Sequence, residues 1–159
     1  LSVNALDFCV YHDKTSAITW RKSSIRNWLN DTKHGFLSIA FTDEEQGRIA
    51  LATVPAHKNP EYSSDSGLDT RDKVFLLSLK EAKQYFPSDK ERQCQMSPYI
   101  ATKKGAKAVD ASCSWWLRSP GVGPEFAAVV QDDGSINYVG SVVSLVNIIG
   151  VRPALWLNL

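Results

Sequence analysis

The sequence lacks long apolar runs and blocks of positive charge, and each absence excludes a class of protein. No run among the 159 residues approaches the roughly 20 apolar residues that a membrane helix needs, so no membrane insertion is expected. Lysines and arginines number 18 against 17 acidic residues, and the basic residues are scattered. We therefore do not expect nucleic acid as a partner.

Cysteine is scarce and irregularly spaced. The chain has three cysteines, Cys9, Cys94 and Cys113, and no two of them form a CxxC pair. The three histidines stand at no zinc-like spacing from the cysteines, so no metal ion is expected. The odd number leaves two alternatives open, which are one disulfide or three reduced thiols that are mostly buried.

The motifs of the common enzyme classes are missing as well. There is no GxSxG, P-loop, GxGxxG or HExxH sequence. The run Asp132-Asp133-Gly134 lacks the alternating ligands and distal glutamate of a calcium loop, so it predicts a hairpin turn. Glu44 and Glu45 could be a pair of catalytic carboxylates, but they are more simply acidic residues in the first turn of a helix. We assign no catalytic residue and no cofactor, and the protein is not expected to be an enzyme.

Helix start signals fill the first two thirds of the chain. Ser23 or Ser24 can cap a short helix. Its apolar face carries Ile25, Trp28 and Leu29 at the spacing i, i+3 and i+4. Of these side chains we expect Trp28 to lie in the core, together with the distant Phe75 and Trp115.

Two further helices begin with the spacing of a capping box. Thr42 and Glu45 stand three residues apart, and Pro55 is predicted to end the helix that they begin. Ser78 and Glu81 repeat the same spacing. Both signals predict short helices whose first turns carry acidic side chains, which the helix dipole favours.

Strand patterns dominate the last third. Residues 56–72 are rich in polar and turn-forming residues and predict a long surface loop. Residues 74–77 predict a buried strand, and the runs at 114–121, 126–140 and 150–159 predict further strands, the middle one with a hairpin turn. Helices followed by an antiparallel sheet are typical of the α+β class.

The run "SWWLRSPG" places two tryptophans beside an arginine. Side chains alternate along a strand, so Trp115 and Leu117 are expected on one face and Trp116 and Arg118 on the other. We interpret both tryptophans as scaffold, because tryptophan is buried on average. For Arg118 and Arg152 two alternatives stay open, which are a buried ion pair stacked on an indole ring or contact with a ligand.

Five ordered motifs carry a family resemblance. The chain contains, in this order, "TWRKSSIRNWLN", "FTDEEQGRI", "DKVFLLSLKEAKQYF", "WWLRSPG" and "GVRPALWLNL". Together they closely resemble an uncharacterised bacterial family, domain of unknown function 6273, over nearly the whole chain. The resemblance implies a module of a larger exported or cell-surface protein, and therefore an extracellular or cell-surface location.

That family is similar in turn to the C-type-lectin-like fold. Formylglycine-generating enzymes and the variable proteins of diversity-generating retroelements share its late tryptophan strand and a closing strand like "GVRPA" at 150–154. The resemblance implies a single domain over 1–159, with short helices first, a small twisted antiparallel sheet last and further upstream strands missing. Cys113 has no second cysteine near it in sequence, and the sugar-binding motifs of calcium-dependent lectins are absent, so neither chemistry is carried over.

The resemblance places a binding surface between the "WWLRSPG" and "GVRPA" motifs. We expect a non-catalytic recognition module whose ligand is a protein or a glycan, with Tyr138 as its aromatic anchor. The alternatives are a retroelement-diversified receptor, a formylglycine-generating-enzyme-like catalyst, a purely structural module, and a buried hairpin at this place; the oligomeric state stays open. The predicted ligand-binding residues are Glu125, Phe126, Gln131, Asp132, Ser135, Asn137, Tyr138, Val139, Ser141, Val142, Ser144, Leu145 and Asn147.

Overall fold

The computed structural model describes residues 1–103, 112–145 and 148–158. Both helices and strands occur in these ranges, so the predicted α+β class is confirmed. The helices described are α1 (Ser24–Asn30), α2 (Phe36–Ala40), α3 (Asp43–Arg48), α4 (Leu79–Tyr85), α5 (Asp89–Arg92) and α6 (Pro98–Lys103). The strands described are β1 (Asp7–Phe8), β2 (Ala52–Val54), β3 (Thr70–Asp72), β4 (Val74–Phe75), β5 (Trp115–Pro120), β6 (Phe126–Val130), β7 (Ile136–Val142), β8 (Gly150–Val151) and β9 (Ala154–Leu155).

The largest sheet has five strands in the order β1-β8-β5-β6-β7. β5, β6 and β7 are antiparallel neighbours, as the sequence predicts for the last third of the chain. The sequence does not predict that β1 joins this sheet through β8, or that β8 runs parallel to β5. Strands of two residues carry too little alternation for their pairing to be visible in the sequence.

Two small ladders lie outside this sheet, and one of them, β4 with β9, joins the helical part of the chain to its end. β2 pairs with β3, and β4 pairs with β9 in the register Phe75↔Ala154. The predicted loop at 56–72 therefore ends in a strand, because its last three residues form β3. None of the helices in the described ranges is long and apolar enough to cross a membrane.

The predicted helix starts are confirmed. The Ser23 side chain accepts the backbone N–H of Arg26 and caps α1. Complete capping boxes begin α3 and α4, each with a Glu three residues after the capping hydroxyl. A further box, Ser88 with Glu91, begins α5 and was not predicted. Each signal lies within four consecutive residues, so the sequence shows it without knowledge of the rest of the chain.

The predicted end of α3 is wrong. The helix stops at Arg48 rather than running on toward Pro55, and the N–H of Ile49 closes its last turn on the carbonyl of Gln46. Ala52–Val54 then form β2. A partner strand offers this segment a ladder of backbone hydrogen bonds, and that tertiary pairing overrides a weak helical pattern.

Both tryptophans of β5 belong to the scaffold, as predicted. Trp115 and Trp116 are fully buried, and so is every other residue of the strand. Trp115 Nε1 donates to the carbonyl of Arg92, and Trp116 Nε1 donates to the carbonyl of Cys9, both at 3.0 Å. Each buried indole N–H thus has a partner, so the rings need no exposed edge.

The other two residues predicted to lie in the core, Phe75 and Trp28, differ in how deeply they are buried. Phe75 is buried, as expected, but Trp28 is only half-buried. Trp28 packs at the edge of the core against Phe36, with 5.7 Å between the ring centroids. The spacing rule identifies the correct face of α1, but it does not show how much of that face the rest of the molecule covers.

Arg118 forms a buried ion pair, one of the two predicted alternatives. Its guanidinium contacts both carboxylate oxygens of Glu81, one of them at 2.8 Å, and donates to the carbonyls of Leu76 and Pro55. The ring beneath it is Phe75 at 5.8 Å rather than an indole. Burial raises the pKa of Glu81, but the hydrogen bond and charge of Arg118 outweigh this effect and lower it overall. Arg118 therefore ties β5 to α4.

Candidate functional site

Four loops meet beyond the end of β5 at Pro120. They are residues 13–22, 56–69, 121–125 and 143–145, and we call them the loop cluster. These segments are far apart in sequence, and hydrogen bonds between them hold the cluster together. Loops held on a rigid sheet are a common place for recognition residues.

Backbone hydrogen bonds fix the contacts between these loops. The N–H of Ile18 donates to the carbonyl of Pro124 at 2.9 Å. The hydroxyl of Ser64 donates to the carbonyl of Gly121 at 2.7 Å. Residues 121–125 are therefore hydrogen-bonded to both of the loops 13–22 and 56–69.

A second set of bonds ties the cluster to β7 and its continuation. The buried side chain of Asn59 donates to the carbonyls of Pro120 and Tyr138, at 2.9 and 2.8 Å. The hydroxyls of Thr15 and Ser144 hydrogen-bond to each other. Asn59 was not predicted as a site residue, although an asparagine before a proline in a polar loop is a recognisable turn signal.

A groove of about 450 Å³ opens between the first two loops and residue 124. Its walls combine apolar side chains with two cations and one acid. The lining residues are Ala17, Ile18, Thr19, Arg21, Lys22, Asp65, Gly67, Leu68 and Pro124. This is the size of a site for a small ligand or a short stretch of another chain.

The turn at residues 65–68 packs tightly against the opposite wall. Gly67 has φ +75°, and a Cβ built on it would lie 2.8 Å from the side chain of Thr19. The Asp65 carboxylate accepts the N–H of Gly67 at 2.8 Å and holds the turn. A residue larger than glycine would therefore push the two walls of the groove apart.

The groove carries a small excess of positive charge. Arg21 and Lys22 are exposed at its rim, and neither forms an ion pair with a carboxylate of the described residues. Asp65 is the one acid among the groove residues. A ligand with an acidic group beside an apolar one would meet complementary groups here.

The structure divides the predicted site residues into two groups at opposite ends of the β6–β7 hairpin. A strand of seven residues spans about 20 Å, so the two groups cannot contact one small ligand together. The group beside the loop cluster consists of Glu125, Phe126, Val139, Ser141, Val142, Ser144 and Leu145. The group toward the hairpin turn consists of Gln131, Asp132, Ser135 and Asn137.

The turn group lies against α5 rather than against the groove. Arg92 Nε donates to the carbonyl of Gly134 at 2.9 Å, and the Gln93 side chain donates to the carbonyl of Asp133 at 3.2 Å. These contacts account for the position of the turn without a ligand. The predicted turn at Asp133–Gly134 is itself confirmed, since it joins β6 to β7.

The predicted anchor Tyr138 lies between the two groups. It is half-buried and packs on the core, with Lys83 of α4 lying 5.9 Å from its ring centroid. Its aromatic face is therefore partly covered by the molecule itself. The last predicted residue, Asn147, lies outside the described residues.

The second half of the segment expected to form the binding surface is mainly the strand β7, which ends the sheet. A bulge interrupts it at Gly140, whose φ is +80° and whose missing Cβ would lie 2.2 Å from the carbonyl of Ala127. The carbonyl of Val139 accepts the N–H of Val122 at 2.9 Å. The loop cluster is thus hydrogen-bonded to β7 beside this bulge.

Within the described residues, no group of three or more histidine, cysteine, aspartate or glutamate side chains could hold a metal ion. The groove residues likewise bring no histidine or cysteine together. What the arrangement offers is apolar contact area, backbone polar groups and two exposed cations. These groups can make apolar contacts and hydrogen bonds, and the two cations can attract an acidic group.

The fold and the groove define the molecule as a small α+β domain in which loops frame a partly cationic groove. The chain belongs to a family described as a domain of unknown function (DUF6273), whose model matches residues 2–159. The family predicted from the five motifs is thereby confirmed. No curated protein and no solved structure matches the chain.

Proposed function

We propose that this domain is a non-catalytic recognition module that binds a segment of another protein in the groove of the loop cluster. The observation that carries the proposal is the convergence of four loops on one rigid strand end, which leaves a groove of about 450 Å³. We further propose that the module belongs to an exported or cell-surface protein.

A C-type-lectin-like fold is part of this proposal. In its support, the tryptophan strand β5 and the closing strand β8 are direct neighbours, with Trp115 opposite Gly150. β1 pairs with β8 as well, so segments near the two ends of the chain meet in one sheet. The long loops gather on one side of this sheet, beyond Pro120.

The chemistry of the groove favours a protein segment over a glycan. Ile18, Leu68 and Pro124 supply apolar area, and Leu68 is 66% exposed. Exposed apolar side chains beside unpaired cations suit a peptide with an apolar residue next to an acidic one. The groove also carries side chains that could hydrogen-bond to a sugar, Thr19, Arg21, Lys22 and Asp65, so the preference for a peptide rests on the exposed apolar wall.

The retroelement-diversified receptor is a narrower form of the same proposal, because it adds variation to a binding surface. This narrower proposal is tested by the DNA around the gene. A near-repeat of the coding sequence that differs from it at adenines, beside a reverse transcriptase gene, would support it.

No observation favours the catalytic alternative. The cysteines that lie together, Cys94 and Cys113, are buried rather than open to the groove.

A library of random peptides displayed on phage tests the proposal. We expect the wild-type domain to enrich peptides that combine an apolar with an acidic residue. Leu68→Asp should weaken binding of the enriched peptides at least about tenfold, because it places a charge on an apolar wall. The matched control is Ile39→Asp, since Ile39 is also an exposed aliphatic residue, 75% against 66%, but lies on α2.

Three outcomes would overturn the proposal. One is a library that yields no enriched peptide, which would favour a purely structural module. Another is equal loss of binding in the two variants, which would show that the groove is not the site. The third is enrichment on an array of glycans in place of peptides, which would transfer the site to a sugar ligand.

A further inference from the structure

Cys94 and Cys113 face each other across a short antiparallel contact. Gln95 and Ser112 form an antiparallel bridge, and the N–H of Cys113 donates to the carbonyl of Cys94 at 2.8 Å. The two cysteines are thus directly opposite in register, where Cα atoms lie about 5.5 Å apart. Disulfides join Cα atoms that are roughly 4.4–6.8 Å apart, so the backbone already has the required spacing.

The two sulfur atoms are also close to each other. Both side chains are buried, with 1% of Cys94 and 6% of Cys113 exposed, and the Cys94 thiol donates to the carbonyls of Val3 and Gln95 at 3.8 and 3.5 Å. Gly150 lies beside them, and a Cβ built on it would be 3.4 Å from the Cys113 sulfur. The missing side chain of Gly150 therefore leaves room at the sulfur pair.

A buried cation lies next to this pair. The Arg152 guanidinium is sandwiched between Trp115 and Phe86, at 5.0 and 5.1 Å from the ring centroids, and its Nε donates to the carbonyl of Ser2. Among the described residues its Nη1 has no hydrogen-bond partner, and no carboxylate forms an ion pair with it. A counter-charge would stabilise a buried cation of this kind further.

The cysteines can supply that counter-charge. The hydrogen bond from Cys113, together with the charge of Arg152, lowers the pKa of Cys94 despite its burial. The same hydrogen bond and burial raise the pKa of Cys113. These directions make Cys94 the candidate attacking sulfur and Cys113 the candidate resolving sulfur, and the single variants below distinguish the two roles. This is the arrangement of an attacking thiolate beside a resolving thiol.

We propose that Cys94 and Cys113 are a peroxide-sensitive pair that closes to a reversible disulfide, with Arg152 positioning the charge of the attacking sulfur. The Cys94 thiolate attacks one oxygen of hydrogen peroxide, the O–O bond breaks, and the departing hydroxide takes the Cys113 proton to give water. The Cys113 sulfur then attacks the sulfenic sulfur of Cys94. The S–O bond breaks, and the second hydroxide takes up the proton that Cys94 first lost. Two thiols and one peroxide thus give one disulfide and two waters.

The third cysteine provides a matched control. Cys9 lies elsewhere in the core, where its carbonyl accepts the indole N–H of Trp116. Its exposure is greater than that of the other two cysteines. A reaction governed by exposure alone would therefore modify Cys9 first, whereas a reaction governed by the pair would leave it reduced.

The test treats the intact chain with hydrogen peroxide, blocks the remaining thiols under denaturing conditions, and measures mass and peptide linkage. We expect the loss of two hydrogens, one blocked thiol at Cys9, and a linked peptide pair that contains Cys94 and Cys113. The melting temperature should rise by roughly 5 °C or more on oxidation, because the bond closes a long loop. A reductant should reverse both changes.

Single variants separate the roles of the two sulfurs. Cys113→Ser should leave Cys94 as a sulfenic acid that dimedone traps, Cys94→Ser should give neither product, and Cys9→Ser should still form the disulfide. Three blocked thiols in the oxidised wild type would overturn the proposal, and so would a linkage that includes Cys9. The disulfide-linked peptides found in the wild type test the proposal even if a serine variant does not fold.

Arg152 is tested by the rate of the reaction. Arg152→Met should slow peroxide-dependent thiol loss by about tenfold or more, and Arg152→Lys should slow it less, since a nearby cation favours the thiolate. Circular dichroism shows whether each variant is folded. If folded Arg152→Met and Arg152→Lys both react at the wild-type rate, Arg152 has no part in the reaction.

Discussion

β5 and β7 both hydrogen-bond to β6, yet the two strands lie in opposite environments. All six residues of β5 are buried, whereas none of the seven residues of β7 is. β5 has a strand on each side, while β7 ends the sheet. Position in the sheet therefore decides which strand is scaffold and which strand borders the surface.

The polar groups of the two strands show the same difference. On β5, the Arg118 guanidinium forms an ion pair with Glu81 and donates to backbone carbonyls, so its charge is paired inside the molecule. On β7, the carbonyls of Tyr138 and Val139 are held by Asn59 and by the loop at Val122. β5 thus supports the core, and β7 supports the loop cluster.

The largest expected effect in this comparison is at the centre of β5. Trp115→Ala should lower the free energy of unfolding by about 3–5 kcal/mol, because it leaves a large cavity and removes an indole hydrogen bond. Denaturant unfolding measures this loss. The matched control is Trp156→Ala, since Trp156 is 55% exposed and should change stability little. An unchanged midpoint for Trp115→Ala would contradict the scaffold role of β5.

The buried ion pair should be next in size. Arg118→Met should cost about 3 kcal/mol, because Glu81 then keeps a buried and unpaired charge. Adding Glu81→Leu to this variant should recover part of the loss, which a double-mutant cycle measures. If the double variant were no more stable than Arg118→Met, the two side chains would not act as a pair.

The same pair predicts a pH dependence of stability. The pKa of Glu81 is lowered in the folded state from its ordinary value of 4.5, because the hydrogen bond and charge of Arg118 outweigh the effect of burial. Its contribution is therefore fully present above about pH 4.5 and is lost as the pH falls through the lower folded-state pKa. Unfolding curves of the wild type and Glu81→Gln between pH 7 and 3 should converge as the pH falls. Parallel curves would show that Glu81 does not titrate as the structure implies.

On β7 the expected effect is smaller and local. Gly140→Ala should cost about 1–3 kcal/mol, because φ +80° is unfavourable for alanine and its methyl would meet the Ala127 carbonyl. The substitution should also disturb the loop cluster, whose edge contacts depend on the bulge. Gly47→Ala provides the control, since a Cβ there meets nothing within 4 Å. Equal stability of the two alanine variants would show that the bulge is not required.

The smallest effect is expected at the exposed face of β7. Val139→Ser should change the free energy of unfolding by less than about 0.5 kcal/mol, because its side chain is exposed. Val130→Ser, on the buried strand β6, should cost several times more. Similar losses at the two positions would remove the distinction between the interior and the end of the sheet.

The sequence predicts the features of this fold that depend on neighbouring residues. The capping boxes at Thr42 and Ser78 need only four residues each, and the burial of Trp115 and Trp116 follows from a strand rich in large side chains. The end of α3 was missed because β2 forms only when β3, some 20 residues later, pairs with it.

The candidate site was predicted less well, for the same reason. The segment between the two motifs was expected to act as one surface, but the hairpin places its turn at one end and its two outer parts at the other end. The groove walls at Ile18 and Leu68 come from loops outside that segment. Cys94 and Cys113 are 19 residues apart and show no motif, so their contact appears only once the chain is folded.

Backbone amide chemical shifts of the labelled domain, measured during titration with an enriched peptide, test the central claim most directly. We expect the largest changes at 17–22, 65–68 and 121–125, which frame the groove, and no change along β5. Changes concentrated at the hairpin turn 131–135, with the groove amides unmoved, would contradict the account and place the recognition surface at the other end of β7.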